Sequence, residues 1–421
     1  MNNLNIVRYY FIKSLTVVME SQVIGWLSNH NKLGLASNLI ILKHRKSSFS
    51  TSPERLKYIR QQIGGSVLIQ PILLLDYISV GVIIILHGIR IWLRERKSKR
   101  TIILQSRNLH HAFCLLMLSR LPRVKVVCEI RGTTVELVSY AKTNNILKAL
   151  KHKVVIRLYS IFEKHVLAQA HAVILVSHSM KEHFIKKYPK LSLDRVYVIP
   201  GAVNEDIFFY DPETTRQEKR QNNLEGRKII VYSGGIDLPW QIPQKIIQLF
   251  KSLHALDSSY FLLILTRTPE LGTKMLREAD IAFTDFKVDF VKHDKLNRYL
   301  NMADVSLLLR GNNPTNHQAS PTKFAEYILA GLPCILTAWI GDYSRMSKKM
   351  QLGYVLENLA FSTEQIQNLH LWIIQYIEND YLPARQRLSE TGLKLLSKSV
   401  YNSFIIEMLQ QDAPMKQESI V

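Results

Sequence analysis

The sequence predicts an α/β protein of two doubly wound domains, each a parallel sheet covered by helices. Short β-branched runs alternate with longer helical patterns along the chain, the sequence form of parallel strands joined by crossover helices. A length of 421 residues exceeds what one hydrophobic core usually serves. The texture changes at residues 201–227, where GAVNEDIFFYDPETTRQEKRQNNLEGR is polar, contains proline and lacks strand periodicity, as a linker would.

The expected strands of the first half are 5–11, 38–42, 101–105, 124–130, 172–176 and 196–199, with helices at 22–30, 77–95 and 146–170. The second half offers strands at 228–232, 260–265, 305–309 and 334–337, with helices at 243–256, 295–302 and 321–330. Residues 363–411 form amphipathic helices, and the last ten residues are polar. The domains expected are 1–205 and 206–395, followed by a helix and loose tail at 396–421, the helix returning to the first domain. In open α/β sheets ligands sit outside the carboxyl ends of the strands, so the informative residues are those just after each strand.

A hydrophobic share of 47% and a charged share of 21% are those of a globular protein. Cys114, Cys128 and Cys334 lie in apolar runs without metal-ligand spacing, which suits buried, reduced thiols. Against 34 acids stand 55 Lys and Arg, a formal charge of +21. Scattered charges of this kind are either a solvated surface or an attraction for phosphates. The run RIWLRERKSKR at 90–100 is not scattered: six basic residues surround one acid and Trp92, directly after the most apolar part of the chain. That mixture suits an anionic membrane surface better than nucleic acid, for which no recognised motif is present. Asp76 splits the apolar stretch into 64–75 and 77–89, each short of the ~20 residues a spanning helix needs. Arg8, Lys13 and Glu20 interrupt any signal-like start. The expectation is a buried or interfacial helix and peripheral attachment to the cytoplasmic face of a membrane.

Residues 320–337, SPTKFAEYILAGLPCILT, carry most of the functional signal. Ser320 reads as an N-cap and Pro321 as the first helical residue, while Gly331 and Pro333 end the helix before a strand. Lys323 then occupies the third helical position, where a cation opposes the helix dipole unless an anion is bound. Glu326 is one turn deeper on the same face, able to accept two hydrogen bonds from a ribose diol. The alternative is an exposed i,i+3 ion pair of a few tenths of a kcal/mol.

This stretch resembles the donor segment of family-4 glycosyltransferases of the GT-B fold, whose bacterial branch reads S-P-[ST]-K-x-x-E-Y-x-x-x-G-x-P. The resemblance extends over most of the chain and is strongest from 160 to 355. It implies two Rossmann-like domains with a cleft between them, and Glu326 holding the nucleotide ribose. A second Glu usual in the family is replaced by Gln318, which can bond sugar hydroxyls but supplies no negative charge. NRYLNMAD at 297–304, VYVIPGAV at 196–203, AVILVS at 172–177 and the Gly341–Asp342 turn resemble family segments too. Gly234 and Gly235 follow the first strand of the second domain, where backbone amides approach a phosphate closely. An Arg and a Lys usual after that turn are replaced by Asp237, Trp240 and Gln241, which leaves the diphosphate to Arg310 and Lys323. Trp240 either stacks on a ligand or packs internally. Arg131 stands where relatives carry a histidine and either holds a donor or acceptor phosphate or pairs with Glu129 or Glu136. Ser177 reads as a helix cap, His178 as a surface or packing residue, Ser21 as a cap, and Gln22 as facing the cleft.

The resemblance implies sugar transfer with retention, from a nucleoside-diphosphate sugar to a lipid-linked or polysaccharide acceptor, with no metal and no other cofactor. Arg131, Gln318 and Arg310 are the catalytic candidates; the leaving phosphate itself takes the acceptor proton. Asp285 and Asp289 flank a strand-like piece and read as surface residues rather than metal ligands. The rival readings are a sugar-nucleotide epimerase on the same fold and a degenerate scaffold.

Overall fold

The computed structural model describes residues 4–13, 19–44, 52–72, 77–132, 146–237, 241–379 and 381–415. The chain divides into two compact units, Met1–Pro200 with Lys398–Ser419 and Gly201–Ser397.

In the first unit seven parallel strands lie in the order β3-β2-β1-β4-β5-β6-β7. They are β1 Ile6–Ile12, β2 Ser37–His44, β3 Val67–Ile72, β4 Thr101–Ser106, β5 Val124–Ile130, β6 Ala172–Leu175 and β7 Val196–Val198. Between them run α1 Gly25–Lys32, α2 Pro53–Ile63, α3 Tyr77–Glu95, α4 Leu109–Leu116, α5 Ile146–Gln169 and α6 His178–Lys187. Strand periodicity sorts the core into two layers. Tyr9 and Phe11 of β1 join Ile84 of α3, Leu115 of α4 and Val166 of α5. Tyr10 and Ile12 face the other way, onto Leu27 of α1 and Ile59 and Ile63 of α2.

The second unit has six parallel strands in the order β10-β9-β8-β11-β12-β13. These are β8 Lys228–Ser233, β9 Tyr260–Leu265, β10 Phe286–Asp289, β11 Val305–Leu308, β12 Cys334–Thr337 and β13 Gly353–Leu356. Its helices are α7 Pro212–Gln221, α8 Pro243–Leu256, α9 Pro269–Glu278, α10 Leu296–Met302, α11 Pro314–Gln318, α12 Thr322–Leu329, α13 Gly341–Met350, α14 Thr363–Asn379 and α15 Tyr381–Leu396. The last helix, α16 Lys398–Gln410, belongs to the first unit. There Lys398 Nζ stands 5.6 Å from the ring centre of Trp26 on α1.

Three expectations are corrected. Residues 201–227 are not merely a linker: Asp211 accepts from the backbone N–H of Glu213 and Thr214 and starts α7, with Pro212 at its first position. Residues 64–75 are not helical up to 72; they hold β3, an edge strand on which Pro71 costs no inner ladder bond. Asp285 is not a free surface carboxylate: it is partly buried, with its side chain 15% exposed, and Arg227 Nη2 holds it at 2.7 Å. Among the described residues no helix is long and apolar enough to cross a membrane.

Candidate active site

Each sheet reverses its strand order once, between β1 and β4 in the first unit and between β8 and β11 in the second. A reversal parts the two flanking loops and leaves a crevice at the carboxyl edge. Of the residues singled out in the sequence, Gly234, Gly235 and Arg310 follow β8 and β11 in the second unit, and Arg131 follows β5 in the first.

In the second unit, Gly234 and Gly235 leave β8, and the Gly234 N–H donates to Leu265 O at 2.9 Å. Arg310 follows β11, its N–H and carbonyl both bonded to the Thr337 hydroxyl at 3.1 Å. An antiparallel bridge between Gln241 and Arg310 brings the chain beyond the glycines back beside that arginine. Helix α12 is tied to the same edge by Tyr327, whose hydroxyl accepts from the Ser233 N–H at 2.8 Å. Phe324 stacks on Tyr343 with ring centres 4.3 Å apart, which holds α12 against α13.

The start of α12 differs from expectation by one residue. Pro321 is the N-cap, Thr322 the first helical residue, and Lys323 the second rather than the third. Ser320 does not cap: its hydroxyl accepts from the Gly201 N–H at 2.8 Å and donates to Tyr343 at 2.9 Å. The helix ends as expected, with Gly331 at φ +71. Lys323 remains in the first turn and its Nζ lies 2.9 Å from Glu326 Oε2. The pair is not the exposed one a surface reading requires, because the Glu326 side chain is only 4% exposed against 28% for Lys323. Gln318 is buried at the end of α11. The adjoining residue 319 is pinned by Gly341, whose φ is +43 and where any Cβ would lie 2.2 Å from Ala319 O.

In the first unit the buried carboxylate of Glu129, on β5, collects four partners. Tyr10 OH donates to Oε1 at 2.7 Å and Gln105 Nε2 at 2.9 Å, while Arg131 and Arg107 reach Oε2 at 3.3 and 3.7 Å. Burial would raise the Glu129 pKa, but Arg131, Arg107 and the Tyr10 hydrogen bond outweigh it and hold the carboxyl below its ordinary value. Arg107 also donates to Gln22 Oε1 at 2.7 Å. Two guanidinium groups thus share one carboxylate, and Arg131 Nε finds no acceptor among the described residues. The ion pair considered for Arg131 is formed, with Glu129. Arg107 escaped sequence reading because nothing local marks it; only the pairing of β4 with β5 sets it beside Glu129.

Ser177 caps α6 through the Met180 N–H at 3.0 Å. Trp240 and Glu136 lie outside the described residues, as does Asp76, and so does the side chain of Ser21. A cavity of about 700 Å³ lined by Pro333, Gly353, Trp372 and Arg387 opens near the starts of β12 and β13, the edge opposite the glycines.

The profile of Glycosyltransferase Family 4 matches residues 35–207. No curated protein sequence matches the chain. Among solved structures, HepE from Anabaena in complex with UDP and glucose superposes with a TM-score of 0.65 at 12% identity, covering 96% of this chain and 99% of that one. A glycosyltransferase from Rickettsia africae gives 0.66 at 14% identity, with 98% and 99% covered. WaaG, a glycosyltransferase of lipopolysaccharide biosynthesis, gives 0.64 at 15% identity, with 96% and 99% covered. The chain is a GT-B protein of two Rossmann-like units, similar in sequence to family-4 glycosyltransferases over residues 35–207.

Proposed function

We propose that the chain is a retaining, metal-independent glycosyltransferase that moves a sugar from a nucleoside-diphosphate sugar to a lipid-linked or polysaccharide acceptor. The observation that carries the reading is the pair Lys323–Glu326 on a helix bound to the last residue of β8, just before the glycine turn. Lys323, with Arg310 and the amides of Gly234 and Gly235, takes the diphosphate; Glu326 takes the ribose diol one turn deeper. The ammonium group then exchanges a carboxylate partner for a phosphate, and Glu326 exchanges an ammonium partner for two hydroxyls. Gln318 lies beside the donor sugar as a neutral hydrogen-bonding group. In the first unit Arg131 and Arg107, held by Glu129, supply positive charge for a phosphate of donor or acceptor. The protein works at the cytoplasmic face of a membrane, attached peripherally to its anionic surface.

Calorimetry with UDP, GDP and the matching nucleosides tests the donor site. Lys323→Ala is expected to weaken the diphosphate by roughly 10- to 150-fold, the loss of one charge-assisted hydrogen bond, and to leave the nucleoside little changed. Glu326→Ala is expected to weaken both. Unchanged affinities in both folded variants would return the pair to a structural role and remove the reading.

A further inference from the structure

We propose that the outer faces of α3 and α5 together form one docking surface for an anionic lipid bilayer. This deepens the membrane part of the reading above and is independent of the transfer chemistry.

On α3 the residues Ile78, Val82, Leu86, Ile89 and Leu93 are between 36% and 80% exposed. Their spacing of 4, 4, 3 and 4 keeps them on one helix face. The face is turned outward by packing on the other side. A Cβ on Gly81 would lie 3.1 Å from Cys114 Sγ, and one on Gly88 only 2.1 Å from Leu118 Cδ1. The glycines therefore hold α3 close against α4 and leave large aliphatic side chains pointing away.

Helix α5 repeats the pattern. Leu150, Val154, Leu158 and Ile161 are exposed with spacing 4, 4 and 3. Its inner side packs on α4 through Phe162 and Phe113, with ring centres 4.6 Å apart. Both helices flank α4 and share the core layer of Tyr9 and Phe11, so the two aliphatic rows lie on the same side of the sheet.

Among the described residues the charges bordering these rows are of one sign. Arg90, Arg94, Arg96 and Lys97 stand exposed along or just beyond α3, and Lys153, Arg157 and Lys164 along α5. The one acid on each helix is turned inward. Glu95 is buried, accepting from Tyr9 at 2.7 Å and from Arg100 at 3.0 Å. Glu163 is buried beneath Lys187 and Tyr188. Aliphatic rows bordered, among the described residues, only by cations match hydrocarbon lying beneath phosphate groups. A second copy of the chain is a poorer occupant, since a two-fold contact through this face would set like charges against each other.

Flotation of the purified full chain with vesicles, without donor or acceptor, tests this. The wild type is expected to float with phosphatidylglycerol-containing vesicles, weakly with phosphatidylcholine alone, and less at high salt. Leu86→Glu with Leu158→Glu should reduce binding by roughly tenfold or more, while either single variant gives an intermediate loss. Circular dichroism and UDP binding on the double variant keep the folded state and the donor site under separate control. Equal flotation of wild type and double variant would overturn the proposal. So would a dimer in sedimentation velocity that these substitutions dissolve, which would assign the face to a second copy.

Discussion

Glu129 in the first unit is closed in by Tyr10, Gln105, Arg107 and Arg131, whereas the ion pair of Glu326 in the second unit is to Lys323, a side chain more than a quarter exposed. Both carboxylates are buried, and both stand near the point where their sheet reverses. The difference lies in how replaceable the partners are. Around Glu129 the donors come from β1, β4 and the end of β5, so moving one disturbs the sheet itself. Beside Glu326 the partner is a flexible lysine that can turn to a ligand without moving any backbone. A buried carboxylate can therefore serve as a structural knot or as an exchangeable contact, according to the rigidity of what surrounds it.

Glu129→Gln puts that contrast to its strongest test. Two guanidinium groups would lose their buried counter-charge, and urea unfolding should report a loss of about 3–5 kcal/mol. A loss below about 1 kcal/mol would mean that the knot is not structural. Tyr327→Phe comes next. It leaves the Ser233 N–H without its 2.8 Å acceptor, for an expected cost of about 1–3 kcal/mol with the helix otherwise intact. Because the tyrosine joins α12 to the β8 turn, UDP affinity should fall with it; stability lost with affinity unchanged would uncouple the two.

The third effect is a pH dependence confined to the first unit. His111 on α4 is buried, and burial, with the nearby His110 and Lys13, lowers its pKa to about 3. The neutral ring is the folded form, so its stabilisation is complete above the unfolded value near 6.5 and is lost as pH falls from there towards 3. His111→Gln, where it folds, should flatten the decline between pH 6.5 and 5 by about 1.4 kcal/mol per pH unit. An unaltered slope would show that the ring is not held neutral.

The sequence was most informative where both faces of an element are covered. Strands β5, β9 and β12 read correctly to the residue because every position but Lys125 is buried, and an unbroken apolar run results. The strands that escaped, β3 and β13, are both sheet edges, with most of their positions only partly buried or exposed. Mixed burial dilutes the pattern that marks a strand. The α12 region was legible for a different reason: Pro321, Gly331 and Pro333 act on the backbone locally, whatever the tertiary setting. Arg107 was invisible because its role depends on β4 lying beside β5, a contact between residues far apart in the chain. The aliphatic row on α5 was missed because helix reading rewards a stripe of Leu, Val and Ile without revealing whether it faces inward.

Helix α16 adds a constraint on how the protein is made. Lys125, on β5, donates to the carbonyls of Gln410 and Gln411 at 3.0 and 2.9 Å, and Tyr197 on β7 packs edge-on against Phe404 of the helix. The first unit therefore receives its last structural element only after the whole second unit has been synthesised. On a ribosome moving at ~5–20 residues per second, the sheet that begins at β1 waits many seconds with its α16 side uncovered. During that interval the nascent chain exposes Tyr197 and the Trp26 face of α1, a surface a chaperone can hold and a stalled or truncated product would never bury.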